Sequence, residues 1–368
     1  MSDKSGTKLD IDSMTSIVIL ITLLVLLSLP ISVSSALPQK VTSTGHSTTN
    51  KSEIENLTIA DAAIPTIDSK TLNNIGNNLS SQGKYKLALI FYERALAISP
   101  SNVRVLIDKA EVLSKLSRYE DAINTYNKAL AIQPSNLTIL FDKANILPYL
   151  GKYEDAISVY DTILTLNPHS SNAMGRKGLN LYDLGRLEEA ISYFDKVLGA
   201  DPNNSAALYY KALALDKLGM YADAIDVRNK ILAIDSNNID LLFGNALDLS
   251  HLGKYEQALT YYDKVLAIDP YRFNALINKA FTLDNLSRYN ESLAYFNKVL
   301  TINPDEDIAL NGKGEALLKL GKYDKAIQYF DKILDINSSD SGLLVAASKN
   351  KQFALDALKN AENDVQLK

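Results

Sequence analysis

The sequence predicts an all-α solenoid of stacked, antiparallel helix pairs, and three observations predict it. A 34-residue period runs from Ser69 to Asp340 without insertion or deletion, and periods of this length mark repeat architectures. Inside each unit, two segments carry apolar residues at three- and four-residue spacing, the period of a helix and not of a strand. The composition follows the repeat: none of the 20 Tyr precedes Tyr85, and neither Cys nor Trp occurs.

The units span 69–102, 103–136, 137–170, 171–204, 205–238, 239–272, 273–306 and 307–340. Positions within a unit are numbered 1 to 34. The first helix is predicted over positions 1–14. Position 4 is Leu in seven units and Met174 in the other, position 11 is always Leu, and position 8 is Gly or Ala, from Gly76 to Gly314. A Gly or Ser at position 15 stops this helix. The second helix is predicted over positions 17–30, with Ala at position 20 (Ser292 in unit 7), an aromatic ring at 24 in seven units, and Leu at 28. Position 32 is Pro in six units, and a helix does not run through it. The small residues at 8 and 20 are expected to face each other and let the pair close up. Tyr at position 17 and the ring at 24 fill the space between pairs. Unit 5 is the least regular, with Arg228 at position 24 and Ser236 at 32.

This set of positions in a 34-residue unit resembles the tetratricopeptide repeat (TPR) family, over 272 of the 368 residues. The resemblance implies a right-handed superhelix whose first helices line a concave face. The family usually has a large apolar residue at position 7. Here six units have Lys (Lys109, Lys143, Lys177, Lys211, Lys279, Lys313), whose stems are expected to pack while the ammonium reaches water.

Family ligands contact positions 2, 5, 9, 12 and 13 of the first helices. In units 3 to 7, positions 5 and 9 read Phe141/Asn145, Gly175/Leu179, Tyr209/Leu213, Phe243/Leu247 and Ile277/Phe281. Tyr149 and Tyr182 join them at positions 13 and 12. The predicted partner-binding groove is therefore Phe141, Tyr149, Leu179, Tyr182, Tyr209, Leu213, Phe243, Leu247, Ile277 and Phe281, an apolar stripe with polar ends. Such a patch marks an interaction site, and a helix or an extended segment of a protein partner would both suit it. The competing reading is that these side chains pack between neighbouring first helices. The family's carboxylate-clamp version needs Lys at 5 and Asn at 9, then Asn at 6, then basic residues at 2 and 6 in consecutive units. No three units supply that set, so a chaperone carboxylate is not the expected partner.

Outside the repeats, Asp12 and Lys40 bracket 27 residues without a charge. Residues 14–33 are long enough to span a bilayer as an N-terminal hydrophobic helix. The apolar core 17–29, followed by Pro30 and by Ser34-Ser35-Ala36, also suits a signal peptide cleaved near Ala36. Residues 1–36 are read as signal or anchor, and 37–68, rich in Ser, Thr and Asn, as a flexible linker. The repeats are then expected outside the cytoplasm, membrane-anchored or secreted. Eight glycosylation sequons (at Asn50, Asn56, Asn78, Asn136, Asn203, Asn285, Asn290 and Asn337) accord with that. Residues 341–368 read as a helix capping the last unit, through Leu343, Leu344, Ala347, Ala354, Leu355 and Leu358.

Chemistry is sparse. Without Cys there is no thiolate metal site or cysteine nucleophile, and three separated His do not make a metal site. A net charge of −5 lacks the basic field that nucleic acid requires. The recurring Gly-Lys-Tyr lacks the rest of a phosphate loop. The expected function is a non-enzymatic protein-interaction scaffold without cofactor. A structural self-assembly element (a homo-oligomer), or an accessory in export or glycan handling, are the alternatives. Pro148, late in a first helix, and Gly175 and Gly178 in the next one point either to a flexible junction there or to a Pro tolerated in the helix's last turn.

Overall fold

The structure is a computed structural model that describes residues 67–336 and 340–366, with side chains as far as 360. The hydrophobic stretch 14–33, the cleavage site near Ala36, linker residues 37–66 and the sequons at Asn50, Asn56 and Asn337 lie outside the described residues.

Among the described residues the fold is an all-helical solenoid of 17 α-helices, with no strand. The pairs are α1 (Ser69–Ser81) and α2 (Tyr85–Ile98), α3 (Val103–Lys115) and α4 (Tyr119–Ile132), α5 (Leu137–Ile146) and α6 (Tyr153–Leu166), and α7 (Ser171–Asp183) and α8 (Leu187–Ala200). They continue as α9 (Ser205–Lys217) and α10 (Tyr221–Leu232), α11 (Ile239–His251) and α12 (Tyr255–Ile268), α13 (Phe273–Asn285) and α14 (Tyr289–Ile302), and α15 (Asp307–Lys319) and α16 (Tyr323–Asp335). A long α17 (Ser341–Gln366) follows. No described helix is long and apolar enough to cross a membrane. Successive first helices approach one another directly, as α7 does α9 and α13 does α15, and this sets them on the inner side of the stack.

The turns follow from local chemistry. Six position-15 glycines, Gly83 to Gly321, take positive φ, the left-handed backbone that a Cβ disfavours. Ser117 and Ser287 adopt it too, both at φ 59°. The residue at position 34 caps the next first helix, a role the periodicity alone does not reveal. Asn102, Asn136, Ser170, Asn204 and Asn238 each accept an N–H three residues on, which satisfies a donor the helix leaves open.

The core is built around position 24. Tyr92, Tyr126, Tyr160, Phe194, Tyr262, Phe296 and Phe330 are all fully buried. The small residue at position 8 makes room for this ring rather than only for position 20. A Cβ on Gly76, Gly178 or Gly314 would fall 2.5, 2.7 and 2.6 Å from Tyr92, Phe194 and Phe330 of the same repeat. Position 6 of the following repeat closes on the ring from its other side: a Cβ on Gly312 would overlap the Phe296 ring. Truncating such a ring costs about 3–5 kcal/mol.

The expectation about the position-7 lysines changes. Lys177 and Lys279 do not reach water; they are 8% and 5% exposed. Each ammonium pairs with an aspartate of the preceding repeat (Asp161 and Asp263). Each also donates to a tyrosine hydroxyl of its own repeat, Tyr193 at 2.9 Å and Tyr295 at 2.7 Å. Lys109–Glu93 at 3.0 Å and Lys211–Asp195 at 2.6 Å extend the same contact. Aspartates on second helices therefore tie one repeat to the next. Arg228 is buried as well. It is 4% exposed and lies between Asp216 and Asp248.

Pro148 ends α5 at Ile146 and turns Leu147–Leu150 into a single 3-10 turn. Helix α7 is unbroken through Gly175 and Gly178. On α17, Leu343, Leu344 and Ala347 pack on Phe330 and Ile333, whereas Leu355 points outward at 41% exposure.

Candidate functional site

Position 5 of each first helix follows position 4 of the core, so its side chain emerges at the edge of the inner face. The structure divides the ten stripe residues by how far they emerge. Ile277 is buried and belongs to the core of repeat 7. Phe141, Phe243 and Phe281 are half-buried, each with its ring edge against the position-24 ring of its own repeat: Tyr160, Tyr262 and Phe296, at centroid distances of 6.2, 6.1 and 5.2 Å. Leu179, Leu213 and Leu247 are half-buried as well. Tyr182 meets Tyr210 edge-on at 6.2 Å and carries the Lys217 ammonium 4.0 Å above its ring. Tyr209 stands out at 41% exposure.

Tyr149 departs from the stripe. It is 69% exposed, but it stacks 4.9 Å from Tyr119 of the preceding repeat. His251 on Tyr221 at 4.8 Å, and Lys115 over Tyr85 at 5.6 Å, repeat that arrangement. Position 13 therefore faces the turn of the previous repeat, not the middle of the groove.

Between repeats 4 and 5 the stripe opens into a hollow of about 510 Å³. Gly175 stands where the other central repeats place Phe, Tyr or Ile. A Cβ there would meet only Val197, at 3.9 Å, so the missing side chain leaves space. Phe194 and Val197 form the floor, Leu179, Ala207 and Tyr210 the walls, and Asn172, Arg176 and Asn204 the rim. Tyr210 is held by Phe194, stacked at 6.2 Å, and by Tyr209, edge-on at 5.4 Å. Periodicity treats Tyr210 as an unassigned tyrosine and Gly175 as a weak spot in a helix. Tyr210 stands at position 6, two residues before the small position 8, and faces Phe194 of the repeat before it.

In repeats 2 and 3 the inner face carries Asp108, Glu111 and Asp142. Asp108 accepts from Asn73 at 2.8 Å and Asn77 at 3.0 Å and pairs with Arg104 at 3.1 Å. Burial pushes the Glu111 and Asp142 carboxyls above their usual range. Beyond them Arg176 is the first cation on the face whose guanidinium has no ion pair among the described residues. No group of three or more His, Asp or Glu converges as metal ligands among the described residues.

Profiles described as tetratricopeptide repeat match residues 68–135, then 107–171, 141–205 and 176–239, then 249–272, 273–306 and 308–340. Among solved structures, the C-terminal part of a TPR repeat-containing protein from Cytophaga hutchinsonii is similar at 17% identity and TM-score 0.58, over 65% of this chain and 98% of that one. YrrB, described as a TPR protein with an unusual peptide-binding site, matches at 24% identity and TM-score 0.45, over 52% and 97%. MamA matches at 21% identity and TM-score 0.43, over 46% and 92%. At these identities the likeness is one of fold. No curated protein matches the chain.

Proposed function

The chain belongs to the tetratricopeptide repeat family, and on that premise we propose that it is a non-enzymatic scaffold that binds a protein or peptide segment along the inner face of repeats 3 to 7. The observation that carries this reading is the run of half-buried apolar side chains there, with Tyr209 standing out 41% exposed beside an unfilled hollow. Half-buried rings braced against core rings are already ordered, so a partner that covers them loses little side-chain entropy. The scaffold acts outside the cytoplasm, held by residues 14–33 or released near Ala36. The charge-free stretch 13–39 supports this.

Cross-linked affinity capture from membranes tests the binding surface. Tyr209→Asp places a carboxylate on an exposed position and removes a ring that braces the half-buried Tyr210. It is expected to abolish recovery of the partners that wild type captures. Identical recovery from both proteins refutes the groove.

A second reading, end-to-end self-assembly, has one observation in its favour: Val345 and Phe353 on α17 are 69% and 57% exposed. Mass measured at low and high concentration, in wild type and in Phe353→Ser, decides it. A dimer that forms on concentration and is lost in the variant supports assembly. A mass that does not change rules it out.

A further inference from the structure

We propose that the hollow beside Gly175 is an anchor pocket for one large apolar side chain, Phe, Trp or Leu, of an extended partner segment that carries a carboxylate within a few residues of that anchor. The inference rests on the groove reading and names the chemistry of its occupant. Three observations lead to it.

The hollow is built by omission. Gly175 interrupts a position that is Phe, Tyr, Phe and Ile in the other central repeats, and its helix is intact on both sides. The space left behind is not taken by a neighbour: a Cβ would lie 3.9 Å from Val197 and within 4 Å of nothing else. At about 510 Å³ it lies in the range of clefts that enclose a small ligand, about 300–1,000 Å³. Its floor and walls are apolar, and Phe194 and Tyr210 are ordered by stacking on each other. A large apolar side chain gains from leaving water here.

The rim supplies the sign. Arg176 lines the opening with no ion pair among the described residues. The other inner-face cations nearby are engaged: Arg104 by Asp108, Lys115 by the Tyr85 ring, and Lys217 by the Tyr182 ring. A guanidinium at the mouth of an apolar pocket favours a carboxylate, which it can hold through two parallel hydrogen bonds. In repeats 2 and 3 the face instead offers Glu111 and Asp142, and Arg104 is already paired with Asp108, so the free guanidinium at the hollow places the carboxylate at repeats 4 and 5. Asn172 and Asn204 can meet the backbone of an extended segment.

A displayed library of random peptides, selected against the full chain in detergent micelles, tests this. Enriched peptides are synthesised with a fluorophore and titrated against wild type and three variants. Gly175→Leu plugs the hollow at a site with room for the side chain, and Leu favours a helix over Gly. The variant is expected to melt no lower than wild type and to bind the peptides ~10-fold more weakly or worse. Arg176→Glu is expected to weaken them ~3–10-fold, with the loss diminished in high salt. The expected consensus pairs Phe, Trp or Leu with Asp or Glu.

Undiminished binding to Gly175→Leu, or a consensus without the apolar–acidic pair, overturns the pocket. Peptides that reproduce a segment of this chain assign it to a second copy or to the chain's own N-terminal region, and overturn an external partner. Tyr209→Asp separates the two claims. If it abolishes binding while Gly175→Leu does not, the groove stands and the pocket falls. If neither affects binding, or no peptide is enriched, both fall.

Discussion

Two glycines in alternate first helices look alike in the sequence and differ in the structure. Gly244, at position 6 of repeat 6, is a packing residue. A Cβ there would lie 2.9 Å from Nε and 3.0 Å from Cζ of Arg228, which takes the ring's place in repeat 5. Gly175, at position 5 of repeat 4, makes room for nothing in the chain: only Val197 comes within 4 Å. The first absence is filled by a buried guanidinium and serves folding. The second stays open on the inner face, and this is the stronger reason to assign it to binding. What a missing side chain would have touched separates the two roles; glycine as a residue type does not.

The largest expected effect is at the filled site. The guanidinium of Arg228 pairs with Asp216 and, at 2.6 Å, with Asp248. Arg228→Met leaves two carboxylates in a protein interior without a cation, and such a loss costs about 3–5 kcal/mol. Urea midpoints are expected to fall accordingly, and to recover most of the loss when Asp216→Asn and Asp248→Asn are added. If Arg228→Met alone is neutral, the charge cluster does not hold repeats 5 and 6 together.

A methyl group on each glycine sharpens the contrast. Gly244→Ala overpacks against Arg228 and is expected to cost about 1–3 kcal/mol. Gly175→Ala meets open space and is expected to gain up to ~1 kcal/mol through helix propensity. Opposite signs in the same denaturation assay support the distinction; equal signs remove it.

A third effect is the dependence on pH. Burial, partly offset by Arg228 and reinforced by Asp248, pushes the Asp216 carboxyl up to about 7. Burial likewise pushes Asp284 up to about 6. Both stand above the unfolded carboxylate value, near 4. Between that value and neutrality the folded chain therefore holds protons that the unfolded chain has released. Stability from these two groups falls as pH rises from about 4 through 7. Urea midpoints at pH 5 and pH 8 are expected to converge in Asp216→Asn/Asp284→Asn relative to wild type. An unchanged difference would mean that other groups set it.

The periodicity carried most of the fold. The first helices end at position 13 and the second run from position 17 to 30 in most repeats, because Gly or Ser at 15 and Pro at 32 are local stops. The irregularity of repeat 5 was also legible, and α10 does end early, at Leu232. Contacts between repeats were not. Lys177 reads as a snorkelling side chain until Asp161 and Tyr193 are seen to close over it. Position 6 has no residue preference to read, although it packs against the ring of the repeat before it. The inner-face positions were legible as a set, but not their exposures: Ile277 is core, Tyr149 belongs to a turn, and Tyr209 stands out at 41% exposure. A single-repeat template reports which helix face a residue is on. Exposure depends on the size of its neighbours in the next repeat, and these differ from one repeat to another.

The central claim is that the inner face of repeats 3 to 7 is where a partner lies. The most direct measurement places a photo-cross-linking amino acid at position 209, on the inner face, and in a second protein at position 226, exposed on the second helix of the same repeat. Both full-length chains are irradiated in membranes. An adduct from position 209, absent from position 226, is the predicted result. Adducts of equal yield from both positions, or from 226 alone, would contradict the account.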